Sequence, residues 1–183
     1  MNMYRKKFVV MLLISLIPIV LAISLEVRQK SGGTGSIVFV QRYQNWAWGY
    51  QCNGSFIDCW GNVYEFDYSD KERGMSEEKF RQALWETYCN TKPVRWKICN
   101  SRKLFEILQE DVYEIDRGAW SSREDIGCDG GQNILYVCDS DFELIELRSI
   151  GDVRVELQDK TAKKLCNDYD EIMQAYYRYK YID

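Results

Sequence analysis

Three acids come first among the residues able to do chemistry. Glu65 and Asp67 stand two apart in the segment VYEFD, with Asp58 just upstream. A pair of carboxylates held roughly 5 to 10 Å apart across a cleft is the apparatus of glycoside hydrolysis. Ser76-Glu77-Glu78-Lys79 spells S-x-x-K, the nucleophile motif of penicillin-recognising enzymes, but neither S-D-N nor K-T-G accompanies it. A serine before two acids and a helical pattern is already explained as a helix N-cap. Asp125, Asp129, Asp139 and Asp141 offer the oxygen ligands that calcium takes, without the loop spacing of an EF-hand. Acids in turns are ordinarily solvated surface.

The chain has 183 residues and no histidine. That absence removes the Ser-His-Asp and Cys-His constellations and every His-containing zinc site. It also removes the side chain best suited to moving protons near neutral pH. The reading requires no cofactor and no metal. Seven cysteines stand at positions 52, 59, 89, 99, 128, 138 and 166, and no C-x-x-C occurs among them. The equal spacings from Cys89 to Cys99 and from Cys128 to Cys138 make local disulfides attractive, each worth roughly 2.5 to 3 kcal/mol on the loop-entropy argument. An odd count leaves one thiol over, for which Cys166 on the last expected helix is the candidate. The plainer reading of most of them is as small apolar core residues or structural bridges.

Aromatic residues supply the other candidate surface. Trp46, Trp48 and Tyr50 at i, i+2 and i+4 share one face if the segment is extended. They are then core, or a platform for a sugar or peptide. Trp60, next to Gly61-Asn62, sits in a turn and is the better candidate for exposure.

Elements that would position these groups follow from the periodicity. Arg5, Lys6 and Lys7 precede an apolar run from Phe8 to Leu25, and Val20-Leu21-Ala22 fits a small-residue cleavage site. Residues 1–22 therefore read as an export signal, with an uncleaved anchor as the rival. Removing them takes away three cations and leaves a net charge of −7. A chain of that charge lacks the footprint for nucleic acid. Residues 23–36, ending in the glycine-rich Ser31–Ser36, form a linker, and 37–183 form one domain. Within it Asn53-Gly54 signals a two-residue hairpin, and Tyr64, Phe66 and Tyr68 alternate with Glu65 and Asp67 as a half-buried strand does. Helices are expected after Ser76, after Asn100 and from about Thr161, and strands through ILYVC, through FELIELRSI with a bulge, and through VRVEL. The fold class is α+β: an antiparallel sheet built from β-hairpins, with the helices packed on one face.

The stretch A-W-G-Y-Q-x-N-G-x-F-I-D-x-x-G-N-x-Y-x-F-D-x-S over residues 47–69 resembles uncharacterised small secreted or membrane-anchored proteins of Gram-positive bacteria. A weaker echo is the G-Q-N-I-L-Y of Gly131–Tyr136. The resemblance implies export and a shared hairpin module, and no reaction. The functional expectation is an exported, noncatalytic interaction domain acting outside the cell or at its envelope, with an extracellular protein or glycan as partner. Nucleic acid is excluded, and the membrane is met only through an uncleaved N-terminus. The alternative is a small carboxylate-dependent enzyme acting on a glycan. A concave pocket joining at least two of Asp58, Glu65 and Asp67 would favour the enzyme; a flat polar face would favour binding.

Overall fold

The computed structural model describes residues 37–47, 49–69, 74–95, 104, 106–107 and 112–180, all within the unit Gly35–Asp183. The expected signal and linker, Trp48, Cys99 and most of the helix expected after Asn100 lie outside the described residues.

Seven strands form one antiparallel sheet: β1 (Ile37–Asn45), β2 (Gln51–Asp58), β3 (Val63–Asp67), β4 (Glu124–Asp125), β5 (Gln132–Cys138), β6 (Leu144–Gly151) and β7 (Val153–Glu156). Their order across the sheet is β3-β2-β1-β5-β6-β7-β4. Two meanders, β1–β3 and β5–β7, are thus joined along one seam where β1 pairs with β5, Phe39 opposite Val137 and Gln44 opposite Gln132. Among the described residues two bounded α-helices complete the α+β domain, α1 (Glu77–Asn90) and α2 (Lys160–Lys180).

The expectation that the helices cover one face is corrected for α1 and α2, which lie on opposite faces. It came from the alternation in VYEFD, which is β3, an edge strand. The strands at the seam do not alternate: Ile37–Val40 and Leu135–Cys138 are buried residue after residue, the pattern of a sheet covered on both sides. Successive side chains go to opposite faces. Phe39, Ile57, Leu135 and Val137 meet Leu165, Tyr169, Ile172 and Met173 of α2. Val40, Phe56, Tyr64, Phe66 and Tyr136 meet Phe80, Ala83 and Leu84 of α1. Leu104 and Ile107 are buried in the first of these cores.

Local chemistry sets the ends of the elements. Ser76 caps α1, its Oγ accepting the Lys79 N–H at 3.3 Å, with Glu77 and Glu78 in the first turn. Asp159 does the same for α2, accepting from the amides of Thr161 and Ala162 at 2.8 and 2.9 Å. In β6 the register shifts where Leu135 faces Arg148 and Tyr136 faces Glu146. Leu147 is the extra residue: Ile145 and Leu147 reach the α2 core by ordinary alternation, and the bulge brings Arg148 to the same face, where it donates to Asp170 of α2 at 2.7 Å.

Asn53-Gly54 is not a turn. Both lie inside β2, and the connection from β1 runs through residues 46–50, with Asn45 opposite Gln51. Gly54 is there for space: a Cβ on it would overlap the Gln41 carbonyl oxygen and lie 2.9 Å from the Phe66 ring.

Candidate functional site

The turn between β2 and β3 is built around Asp58. Its Oδ1 accepts the amides of Trp60 and Asn62 at 2.9 and 2.8 Å, and its Oδ2 accepts the Asn62 side-chain amide at 2.8 Å and the Tyr64 hydroxyl at 3.4 Å. Asp58 has no exposed surface. Burial pushes its carboxyl up from the usual range, against the hydrogen bonds from Asn62, Trp60 and Tyr64 that favour the anion. This carboxylate holds a turn closed and touches no solvent.

Glu65 and Asp67 point to the other face. The register places Ser55 opposite Glu65 and Asn53 opposite Asp67, so the grouping of Asp58 with them is corrected: Asp58 shares the face of Tyr64, on the α1 side. On the α2 side Glu65 accepts the Tyr176 hydroxyl at 2.9 Å. Asp67 accepts the Ser69 amide at 3.0 Å and the Ser69 hydroxyl at 2.6 Å, and these bonds pull its carboxyl below the usual range. The two acids line one hollow of about 510 Å³, with Asn53, Ser55 and Tyr176. The geometric condition set for an enzyme is therefore met by Glu65 and Asp67 alone. A general acid also needs a carboxyl raised toward neutrality. Asp67 is displaced toward the anion. Asp58 and Glu146, two carboxyls that burial raises, stand outside the hollow.

Trp60 is 41% exposed, as its place in the turn led one to expect, and it lies at the end of β3 away from Asp67. Trp46 is more exposed, at 54%. Because β1 stops at Asn45, Trp46 belongs to the connecting turn and not to a strand-long stripe; its ring packs against Tyr50 with centroids 4.7 Å apart. Beside it lies a second hollow, of about 520 Å³, lined by Gln44, Asn45, Trp46, Asp129, Gln132 and Asp152 among others. Sequence reasoning missed Gln44 and Asp152 as members of a site. The available signal was Gly130-Gly131 just before β5: a Cβ on Gly131, whose φ is +75°, would press on the Gln44 carbonyl and the Tyr43 hydroxyl.

The remaining candidates do not converge. Asp139 and Asp141 sit in the β5–β6 turn, where the Asp139 carboxylate accepts the amides of Asp141 and Glu143, whereas Asp125 and Asp129 lie before the opposite end of β5. Among the described residues no group of three or more acids or cysteines is placed to hold a metal ion.

Cys128 and Cys138 are both free thiols. The proposed bridge between them is corrected: β5, seven residues at ~3.3 Å each, lies between them and keeps them at its two ends. Cys89 is free and exposed, and its proposed partner Cys99 is outside the described residues. Cys166 is a free thiol half-buried against the α2 core.

Comparison with protein-family models, with curated proteins and with solved structures returned no match.

Proposed function

We propose that this chain is an exported, noncatalytic binding domain that acts outside the cell or at the cell envelope on a glycan or a protein. The observation that carries this reading is the state of the acids. Asp58 is closed inside a turn, while Glu65 and Asp67 are fixed by Tyr176 and Ser69 as acceptors on the wall of an open hollow. Fixed acceptors favour recognition, since a ligand donor meets them without the cost of ordering the side chains. Export rests on the basic and apolar N-terminus, with the outer face of the plasma membrane as the location if the signal stays attached.

A second reading, a carboxylate-dependent enzyme acting on a glycan, is favoured by the hollow that joins Glu65 and Asp67. One experiment separates the two. The secreted protein is applied to a glycan array and to isolated cell walls, and both bound material and released sugar are measured. Binding without release, weakened by Glu65→Gln, Asp67→Asn or Trp60→Ala with the fold intact by circular dichroism, supports the binding domain. Release of reducing sugar that is lost in Glu65→Gln establishes the enzyme. Absence of both removes the glycan as partner.

A further inference from the structure

Resting on the binding reading, we infer that the hollow beside Trp46 is a saccharide subsite. A pyranose ring stacks on the exposed face of the indole while its hydroxyls bond the Asp129 carboxylate and the Gln44 amide.

The indole is unusual in being both exposed and fixed. Trp46 is 54% exposed, yet its ring is held by Tyr50 on one side and by Gly74 on another. Gly74 has φ +76°, and a Cβ on it would collide with the Trp46 ring. A large apolar face presented in one orientation binds without losing rotamer freedom, which for a mobile side chain costs about 0.5–1.5 kcal/mol.

The walls of the hollow are fixed in the same way. The Asn45 side-chain amide donates to the Tyr43 hydroxyl at 2.9 Å and to the Asp129 carbonyl at 3.2 Å, and its oxygen accepts the Ala47 amide at 2.8 Å. Asp152 accepts the amides of Gly130 and Gly131 at 2.7 and 3.2 Å. Gln132 is engaged by Ser149 and Val153. These bonds tie the end of β1 to the loop before β5 and leave two polar side chains in the hollow without an intramolecular partner among the described residues, Gln44 and Asp129.

An amide that donates and accepts, beside a carboxylate that accepts twice, is matched by vicinal hydroxyls. The lining carries two acids and no cation, which disfavours a phosphate or carboxylate ligand. The volume lies within the ~300–1,000 Å³ of ordinary small-ligand sites. An ammonium group would seek the same indole and acids, and it differs from a neutral sugar in its response to salt.

The test is titration calorimetry of the secreted protein with chitotetraose and cellotetraose, at low and at high salt. Binding of at least one of these neutral sugars is expected, nearly independent of salt. Trp46→Ala should weaken it roughly tenfold, Trp46→Phe less, and Asp129→Ala roughly fivefold. Tyr113→Ala should leave it unchanged, since Tyr113 meets Ser140 in the β5–β6 turn, at the end of β5 away from Asp129. Denaturant titration of each variant separates loss of binding from loss of fold. The inference is overturned if neither sugar binds, if Trp46→Phe and Trp46→Ala bind as the wild type does, or if only a deacetylated, cationic chitosan oligomer binds and salt abolishes it. Retention on cell walls with no binding of either sugar sinks this subsite and leaves the binding domain standing. Loss of both removes the glycan as partner, and this subsite with it.

Discussion

Asp58 gathers four donors in a turn closed to solvent, so its value is structural and its protonation is coupled to folding. Asp58→Asn keeps one acceptor but sets an amide N–H against the donating Asn62 side chain, and should cost about 1–3 kcal/mol in denaturant unfolding. The sign of the pH effect follows from the raised carboxyl. The folded state holds the proton more tightly than an unfolded Asp of pKa ~3.9, so this group's contribution to stability falls as pH rises above about 4. The advantage of the wild type over Asp58→Asn should therefore shrink as pH rises above about 4; an advantage that grows contradicts the assignment. The thiols give a second check. Burial pushes the thiols of Cys59 and Cys166 up to about 11, and that of Cys138 further. Under native conditions iodoacetamide followed by mass spectrometry should label the exposed Cys128 and Cys89, and should reach Cys52, Cys59 and Cys138 only after unfolding.

Gly54 carries the argument at the scale of the element. Three strands close on it, β2 itself with β1 and β3 at either side, and Gly54→Ala should cost about 3 kcal/mol or more, read as a lower denaturant midpoint. A midpoint within error of the wild type would mean that β1 and β2 do not pair as described. The same residue explains what could be read in the sequence and what could not. Asn-Gly is a strong local signal, and here a non-local requirement, room for the Gln41 carbonyl and the Phe66 ring, accounts for the glycine instead. Where local chemistry decides, the sequence was sufficient: the Ser76 cap, the Trp60-Gly61-Asn62 turn, the bulge in β6 and the exposure of Trp60 are all as expected. Where a distant strand decides, it was not. The face taken by Asp58 depends on the register of β2 on β3, and the hollow beside Trp46 joins residues more than 80 positions apart.

Among the described residues the domain is a sheet between two separate hydrophobic cores, one beneath α1 and one beneath α2. Side chains in different cores do not touch, so their contributions should add. Leu84→Ala beneath α1 should cost about 2–5 kcal/mol and Ile172→Val beneath α2 about 0.5–1.5 kcal/mol. The double variant should equal their sum to within about 0.5 kcal/mol, and a larger coupling would show that the two faces communicate through the sheet. The seam between the meanders has a consequence in time. Phe39 and Val137 pair although they lie roughly 100 residues apart in the chain, and closing so long a loop is entropically opposed. A ribosome adding ~5–20 residues per second needs on the order of 5 to 20 s to supply β5 after β1 has emerged. Throughout that interval the apolar strand Ile37–Val40 has one edge with no neighbour, a template for any passing strand. A β1–β3 meander that forms before β5 is available presents that edge to other chains, and the yield of folded protein then depends on what shields it.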